Sequence, residues 1–194
     1  MPVESRPLRR DAQRNRELLL AAAREVFGAK GLEAPLDEIA RRAGVAIGTL
    51  YNRFPTRAEL IDATFAEPVG RWVTIGEEAL AEPDPWDGIV QYVVRSCELH
   101  SIDRGLTQVC TESYPDAPGI EAAKLRSWDV LVRLVARAKD AGVLRADAEP
   151  SDLPMAVVAA SRIAELESDP DRWRRHIRYV LDGLRADKRR ATRR

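Results

Sequence analysis

Apolar residues recur along this chain, segment after segment, at the spacing of one face of an α-helix. In residues 16–30, Leu19, Ala22, Ala23, Val26 and Phe27 share a face, and Gly31 ends the run. Residues 36–43 repeat the pattern briefly with Leu36, Ile39, Ala40 and Ala43. Gly44 breaks it, and a third short helix follows through Leu50 to Phe54. Thr56-Arg57-Ala58-Glu59 reads as a capping box, in which the threonine oxygen accepts a first-turn amide and the glutamate reaches back. A longer helix is predicted from there to about Glu82.

The remainder continues in kind. Asp84-Pro85 pairs an N-cap with a proline that needs no helical N–H, and Trp86, Ile89, Val90, Val93, Val94 and Cys97 form the stripe behind it. The cluster Tyr114-Pro115-Asp116-Ala117-Pro118-Gly119 breaks the pattern. From about 120 to 141, Trp128, Leu131, Val132, Val135 and Ala138 mark another face, closed by Gly142. Leu153, Ala156, Val157, Ala160 and Ala164 form the next stripe. The last carries Trp173, Ile177, Val180, Leu181 and Leu184. No alternating run reads as a strand, and no repeat or low-complexity tract is present. The pattern predicts an all-α chain of about nine helices.

Composition changes this picture only where charge is concerned. With 194 residues the chain is long enough to bury a core without covalent staples. Its two cysteines, Cys97 and Cys110, are too few for a disulfide framework, so a reducing, cytoplasmic setting is expected. The charged start MPVESRPLRRDAQRNR lacks the apolar segment of a secretory signal, and no run is apolar enough to span a bilayer. Thirty-one Lys and Arg balance 31 Asp and Glu, which at face value argues against a polyanionic partner. The balance is regional, however. Basic residues outnumber acidic ones 11 to 8 in residues 1–60, fall to 14 against 22 in 61–184, and recover to 6 against 1 in 185–194. A basic start, an acidic body and a basic tail point to a polyanion at one end.

The informative stretch is LDEIARRAGVAIGTLYNRF, residues 36–54. Two short helices meet at Ala43-Gly44-Val45, where a glycine allows the tight reversal of a helix-turn-helix. A second helix braced by the first can enter a major groove about 12 Å wide. Leu50 and Phe54 are expected to face inward, and Thr49, Asn52 and Arg53 outward. On spacing alone, an ordinary helical corner within a bundle fits equally.

The run NRELLLAAAREVFGAKGLEAPLDEIARRAGVAIGTLYNRFPTRAELIDATF, Asn15 to Phe65, resembles the N-terminal domain of the TetR family of bacterial transcriptional regulators. The elements AAREVF, DEIARRAGV, GTLYNRF and PTRAEL occur in the family's order. The resemblance implies a homodimer that binds a palindromic double-stranded DNA operator, and represses until a small-molecule effector releases it. It implies no cofactor, no metal and no enzymatic activity. Thr49 and Gly48 fall on the groove-facing helix, Tyr51 matches a phosphate-contacting tyrosine, and Asn52 and Arg53 stand at polar positions. Arg57 matches a basic residue that touches the backbone. Arg41, Arg42 and Arg14 are further candidate contacts, with Arg6, Arg9, Arg10 and Arg16 in a basic N-terminal arm. Pro35 and Ala46 stand where hydroxyl residues are common, and Ile47 where lysine is frequent.

On this reading residues 1–62 bind DNA, 63–184 bind the effector and dimerise, and 185–194 form a disordered basic tail. Leu153, Val157, Ala160, Ala164, Trp173, Ile177, Val180 and Leu181 are the candidate dimer interface, paired across a two-fold axis as a four-helix bundle. The alternative is that they complete the monomer core. Tyr92, Cys97, His100, Cys110, Trp128 and Met155 are the candidate effector pocket. Cys97 and His100 share a helix face, and with Cys110 they supply too few ligands to close a metal site. Two other functions stay open here: a helical adaptor that has lost DNA binding, and a small enzyme using the same cysteines and histidine.

Overall fold

The computed structural model describes residues 5–100, 104–166, 169 and 172–186, with side chains from Asp11 onward except His100 and Arg104. Among these residues there are nine helices: α1 Ser5–Lys30, α2 Leu36–Arg42, α3 Ile47–Arg53, α4 Arg57–Ala81, α5 Pro85–His100, α6 Arg104–Thr111, α7 Pro118–Asp140, α8 Asp152–Leu166 and α9 Arg172–Leu184. The all-α pattern therefore translates directly into structure. Two details differ from the sequence reading. The expected N-terminal arm is helical from Ser5, continuous with α1. Arg185 and Ala186, assigned to the tail, are tied down, whereas residues 187–194 lie outside the described residues.

Local chemistry accounts for the helix ends. The Glu59 amide donates to Thr56 Oγ1 at 3.1 Å, while the Thr56 hydroxyl donates to the Glu59 carboxylate at 3.3 Å. Asp84 Oδ1 accepts from the amides of Trp86 (2.7 Å) and Asp87 (3.1 Å), the N-cap that its position predicts.

Packing divides the chain into two compact units. The first takes Met1–Val69 with Asp103–Ala122; the second takes Gly70–Ile102 with Ala123–Arg194. In the first, Leu19, Phe27, Ile39, Leu50, Leu60 and Phe65 are fully buried, and the Phe27 and Phe65 rings lie 6.2 Å apart. Helix α6 returns from far along the chain to join this core. A side chain at Gly105 would come within 2.8 Å of the Phe65 ring and 3.0 Å of the Phe27 carbonyl, so only hydrogen fits there. Asp62 accepts from the amides of Gly119 (3.3 Å) and Ile120 (2.8 Å) and so fixes the start of α7.

The second unit is built on apolar burial. Ile89, Val93, Leu131, Leu134, Leu153 and Trp173 belong to one continuous cluster. Arg137 donates to the carbonyls of Leu80 and Pro83, both at 2.9 Å, and holds the turn between α4 and α5. The chain after α9 is clasped by an antiparallel bridge, Leu144 to Arg185. Its amide bonds run from Arg145 to Leu184 O (3.0 Å) and from Ala186 to Val143 O (2.9 Å).

Candidate nucleic-acid interface

Helices α2 and α3 have seven residues each, too short to persist alone. They hold because Leu36, Ile39 and Ala40 of α2 and Leu50 of α3 are buried, together with Phe54 just after α3. The turn between them is set by Gly44 at φ +70°, a left-handed conformation costly for a residue with a Cβ. The Val45 amide donates to Ala40 O at 3.0 Å and closes the turn. This is the helix-turn-helix that the sequence predicted, with its second helix turned outward.

What α3 presents is decided by which side chains the protein itself leaves alone. Tyr51 is half exposed, and Gly48, Asn52 and Arg53 are exposed; Thr49 is half-buried. The side chains of Tyr51, Asn52 and Arg53 have no hydrogen-bond or ion-pair partner among the described residues. Ile47 is exposed on the same short helix.

The other candidate cations differ. Arg41 lies 3.8 Å from Asp37, a solvent-exposed pair one turn apart. Arg42 is ion-paired with Glu25 of α1. Arg14 is exposed on α1, and Arg16 lies over the Phe54 ring, 5.6 Å from its centre. Arg6, Arg9 and Arg10 have no described side chains.

Arg57 departs most from expectation. Instead of pointing to solvent as a backbone contact, its Nη1 donates to the carbonyls of Leu32 (2.6 Å) and Ala34 (2.8 Å). It holds the loop that leads into α2. A sequence motif marks the residue as basic, but its partners lie more than twenty positions upstream, and no local pattern signals them.

The candidate effector residues do not converge. Tyr92 and Cys97 are buried in the second unit, but Trp128 and Met155, in that same unit, are exposed at 48% and 68%. Cys110 belongs to the first unit, and the His100 side chain lies outside the described residues. Burial pushes the Cys97 thiol from 9.0 up to about 12, with the Glu98 charge adding and Arg174 opposing. A thiol so protected is a poor nucleophile and a poor metal ligand. Among the described residues, no three His, Cys, Asp or Glu side chains come together as a metal site would require.

The dimer stripe is also corrected. Leu153, Val157, Ala160, Trp173, Ile177 and Leu181 are buried inside the protomer, and Ala164 and Val180 pack half-buried against the same cluster. The periodicity was that of the protomer core. The opposite faces of α8 and α9 are left open: Met155, Ala159 and Leu166 on one, Tyr179 on the other, with Leu166 85% and Tyr179 58% exposed. A groove of about 430 Å³ in this region is lined by Ile163, Arg172, Arg175, His176 and Tyr179, and a second, of about 390 Å³, by Arg145, Asp152 and Leu184 among others.

Residues 19–64 match the family described as bacterial regulatory proteins, tetR family. Residues 84–186, more than half of the chain, match the C-terminal domain described as transcriptional regulator SbtR-like. The chain belongs to the TetR family of transcriptional regulators. The TetR regulatory protein of Mycobacterium vanbaalenii is 33% identical, covering 93% of this chain and 100% of that one, with a TM-score of 0.54. The Streptomyces coelicolor TetR regulator SCO0520 is 31% identical over 88% and 98%, with a TM-score of 0.56. SrpR of Pseudomonas putida, an HTH-type transcriptional regulator, is 42% identical over 57 residues. That match spans 29% of this chain and only 27% of SrpR. A TetR-family protein from Rhodococcus RHA1, 20% identical with a TM-score of 0.68, shares the fold. TetR membership removes the thiol enzyme from consideration, and no helix among the described residues is long and apolar enough to cross a membrane.

Proposed function

We propose that this TetR-family regulator is a homodimeric repressor that reads a palindromic operator through α3 and is released by a small molecule bound in its second unit. The observation that carries the reading is the outer face of α3. Tyr51, Asn52 and Arg53 stand exposed and without internal partners on a helix braced from behind by buried Leu50 and Phe54. Arg53 and Tyr51 suit phosphate, and Asn52 suits a base edge. Arg57 has no place in this set, because its guanidinium is engaged within the protein.

The outward faces of α8 and α9 support the dimer. Exposed Met155, Ala159, Leu166 and Tyr179 on neighbouring helices offer a second copy an apolar strip with an arginine-rich border. The hydroxyl of Ser96 supports an effector site. It is buried beside Cys97 with no partner among the described residues, and a polar ligand atom would satisfy it. Neither Cys97 nor Cys110 forms a disulfide among the described residues, in keeping with a cytoplasmic setting.

Selection from a random double-stranded DNA library, followed by mobility shift across KCl concentrations, tests the reading. A palindromic selected sequence whose affinity falls steeply with salt supports it. Failure of the intact protein to enrich any sequence would favour the adaptor. Sedimentation of a Met155→Glu/Leu166→Glu variant tests the dimer: a monomeric variant supports the proposed face, and an unchanged dimer moves the interface elsewhere.

A further inference from the structure

We infer that Gln108, on α6, is a positioning residue for DNA reading: it fixes the start of the helix-turn-helix by holding the backbone of Leu32. The inference rests on the DNA-binding reading above. Leu32 is 1% exposed, so water is not at hand for its peptide groups. Its N–H donates to Gln108 Oε1 at 2.8 Å, across 76 positions of sequence. Its carbonyl accepts from Arg57 of α4 at 2.6 Å. A single residue is thus gripped at both polar groups by side chains from two different helices. Ala34, two positions on, accepts from the same arginine at 2.8 Å.

The neighbouring chain makes this grip matter. Gly31 sits at φ +83°, a conformation that favours glycine, and a Cβ there would lie 2.7 Å from Gln108 Oε1 and push that side chain off its bond to Leu32. Pro35 follows with φ −61° and serves as the N-cap of α2 without a side-chain bond of its own. No side chain caps the first amides of α2 in the way Thr56 caps α4, although Glu38 in that turn accepts from Lys30 of α1 at 2.7 and 2.8 Å. Beside its buried Leu36, Ile39 and Ala40 and its ion pairs to α1, the backbone entering α2 is held through the loop by Gln108 and Arg57. Helix α2 carries the Gly44 turn, and that turn aims α3. Gln108 touches no DNA on this account; it sets where Tyr51, Asn52 and Arg53 point.

Two substitutions separate this role from ordinary structural support. Gln108→Met keeps the length of the side chain but removes the acceptor, and Gln108→Glu keeps an acceptor oxygen. On the operator selected with the intact wild type, Gln108→Met is expected to bind about tenfold more weakly. Its salt dependence should be unchanged, because no phosphate contact is lost. Gln108→Glu should bind within about twofold of wild type. Hydrogen exchange at the Leu32 amide should quicken in Gln108→Met alone. The inference is overturned if Gln108→Met exchanges quickly at Leu32 yet binds like wild type, or if Gln108→Glu is as weak as Gln108→Met. A reduced salt slope in Gln108→Met would overturn it too, by making the side chain a direct contact. Failure of the wild type to select DNA is a different result, and it removes the DNA-binding reading itself.

Discussion

The end of α3 and the start of α4 each carry an arginine, four positions apart and equally basic in any count of charge. Arg53 is exposed and has no partner among the described residues; Arg57 is turned inward onto two carbonyls of the loop before α2. The first is available to a polyanion and the second is part of the scaffold that aims it. Arg42, ion-paired with Glu25 at the surface, lies between these extremes. The DNA-facing charge of this protein is therefore what remains after its own carboxylates and carbonyls have been served. That is a smaller set than the basic residues of its N-terminal third.

The contrast can be broken most forcefully at Arg57. Arg57→Ala leaves the Leu32 and Ala34 carbonyls without their charged donor and should cost about 2–3 kcal/mol of unfolding free energy. Urea denaturation reads that loss, and the salt slope of operator binding should not move. A slope reduced by about one would return Arg57 to the phosphate backbone. Arg53→Ala should do the reverse: about tenfold weaker binding with a slope lower by about one, and an unaltered denaturation midpoint. A clear drop in midpoint would mean that Arg53 is scaffold after all. Glu25→Gln probes the middle of the range. Exposed pairs contribute about 0–1 kcal/mol, so stability should barely change, while a released Arg42 tightens operator binding about threefold. Weaker binding would show that Glu25 places Arg42 usefully.

The smallest effect extends the comparison to the second unit, at a group shielded from solvent rather than exposed to it. The Cys97 thiol is held near 12 in the folded chain and near 9.0 when unfolded. Its stabilising contribution is complete below pH 9 and is lost as pH rises from there towards 12. The difference in stability between wild type and Cys97→Ala should be flat below pH 9 and shrink above it. A difference that stays flat throughout would show the thiol to be hydrated.

How much of this was legible in the sequence depends on the reach of each interaction. The caps at Thr56 and Asp84, the turn at Gly44 and the inward pair Leu50 and Phe54 are local, and spacing alone identified them. Gln108 and Arg57 act on backbone groups 76 and 25 positions away, and a backbone partner leaves no mark on sequence. The stripes on α8 and α9 failed differently. Periodicity reveals that a helix has an apolar face, but not whether its own chain or a second copy covers it. Trp173 and Leu153 were covered at home, and the open residues Met155, Leu166 and Tyr179 are too sparse to register as a pattern.

The clasp between the chain after α9 and the link before α8 has a consequence for association. Bonded amides at Arg145 and Ala186 turn the intervening stretch, about forty residues with both helices, into a closed ring. A ring has already lost the entropy of bringing its ends together, and neither helix can swing away until the clasp opens. The plate formed by α8 and α9 is thus preorganised, and a second copy docking on it, as in the dimer proposed above, would leave less freedom to lose. Exchange at those two amides would report the ring opening as one event, ahead of the unwinding of either helix.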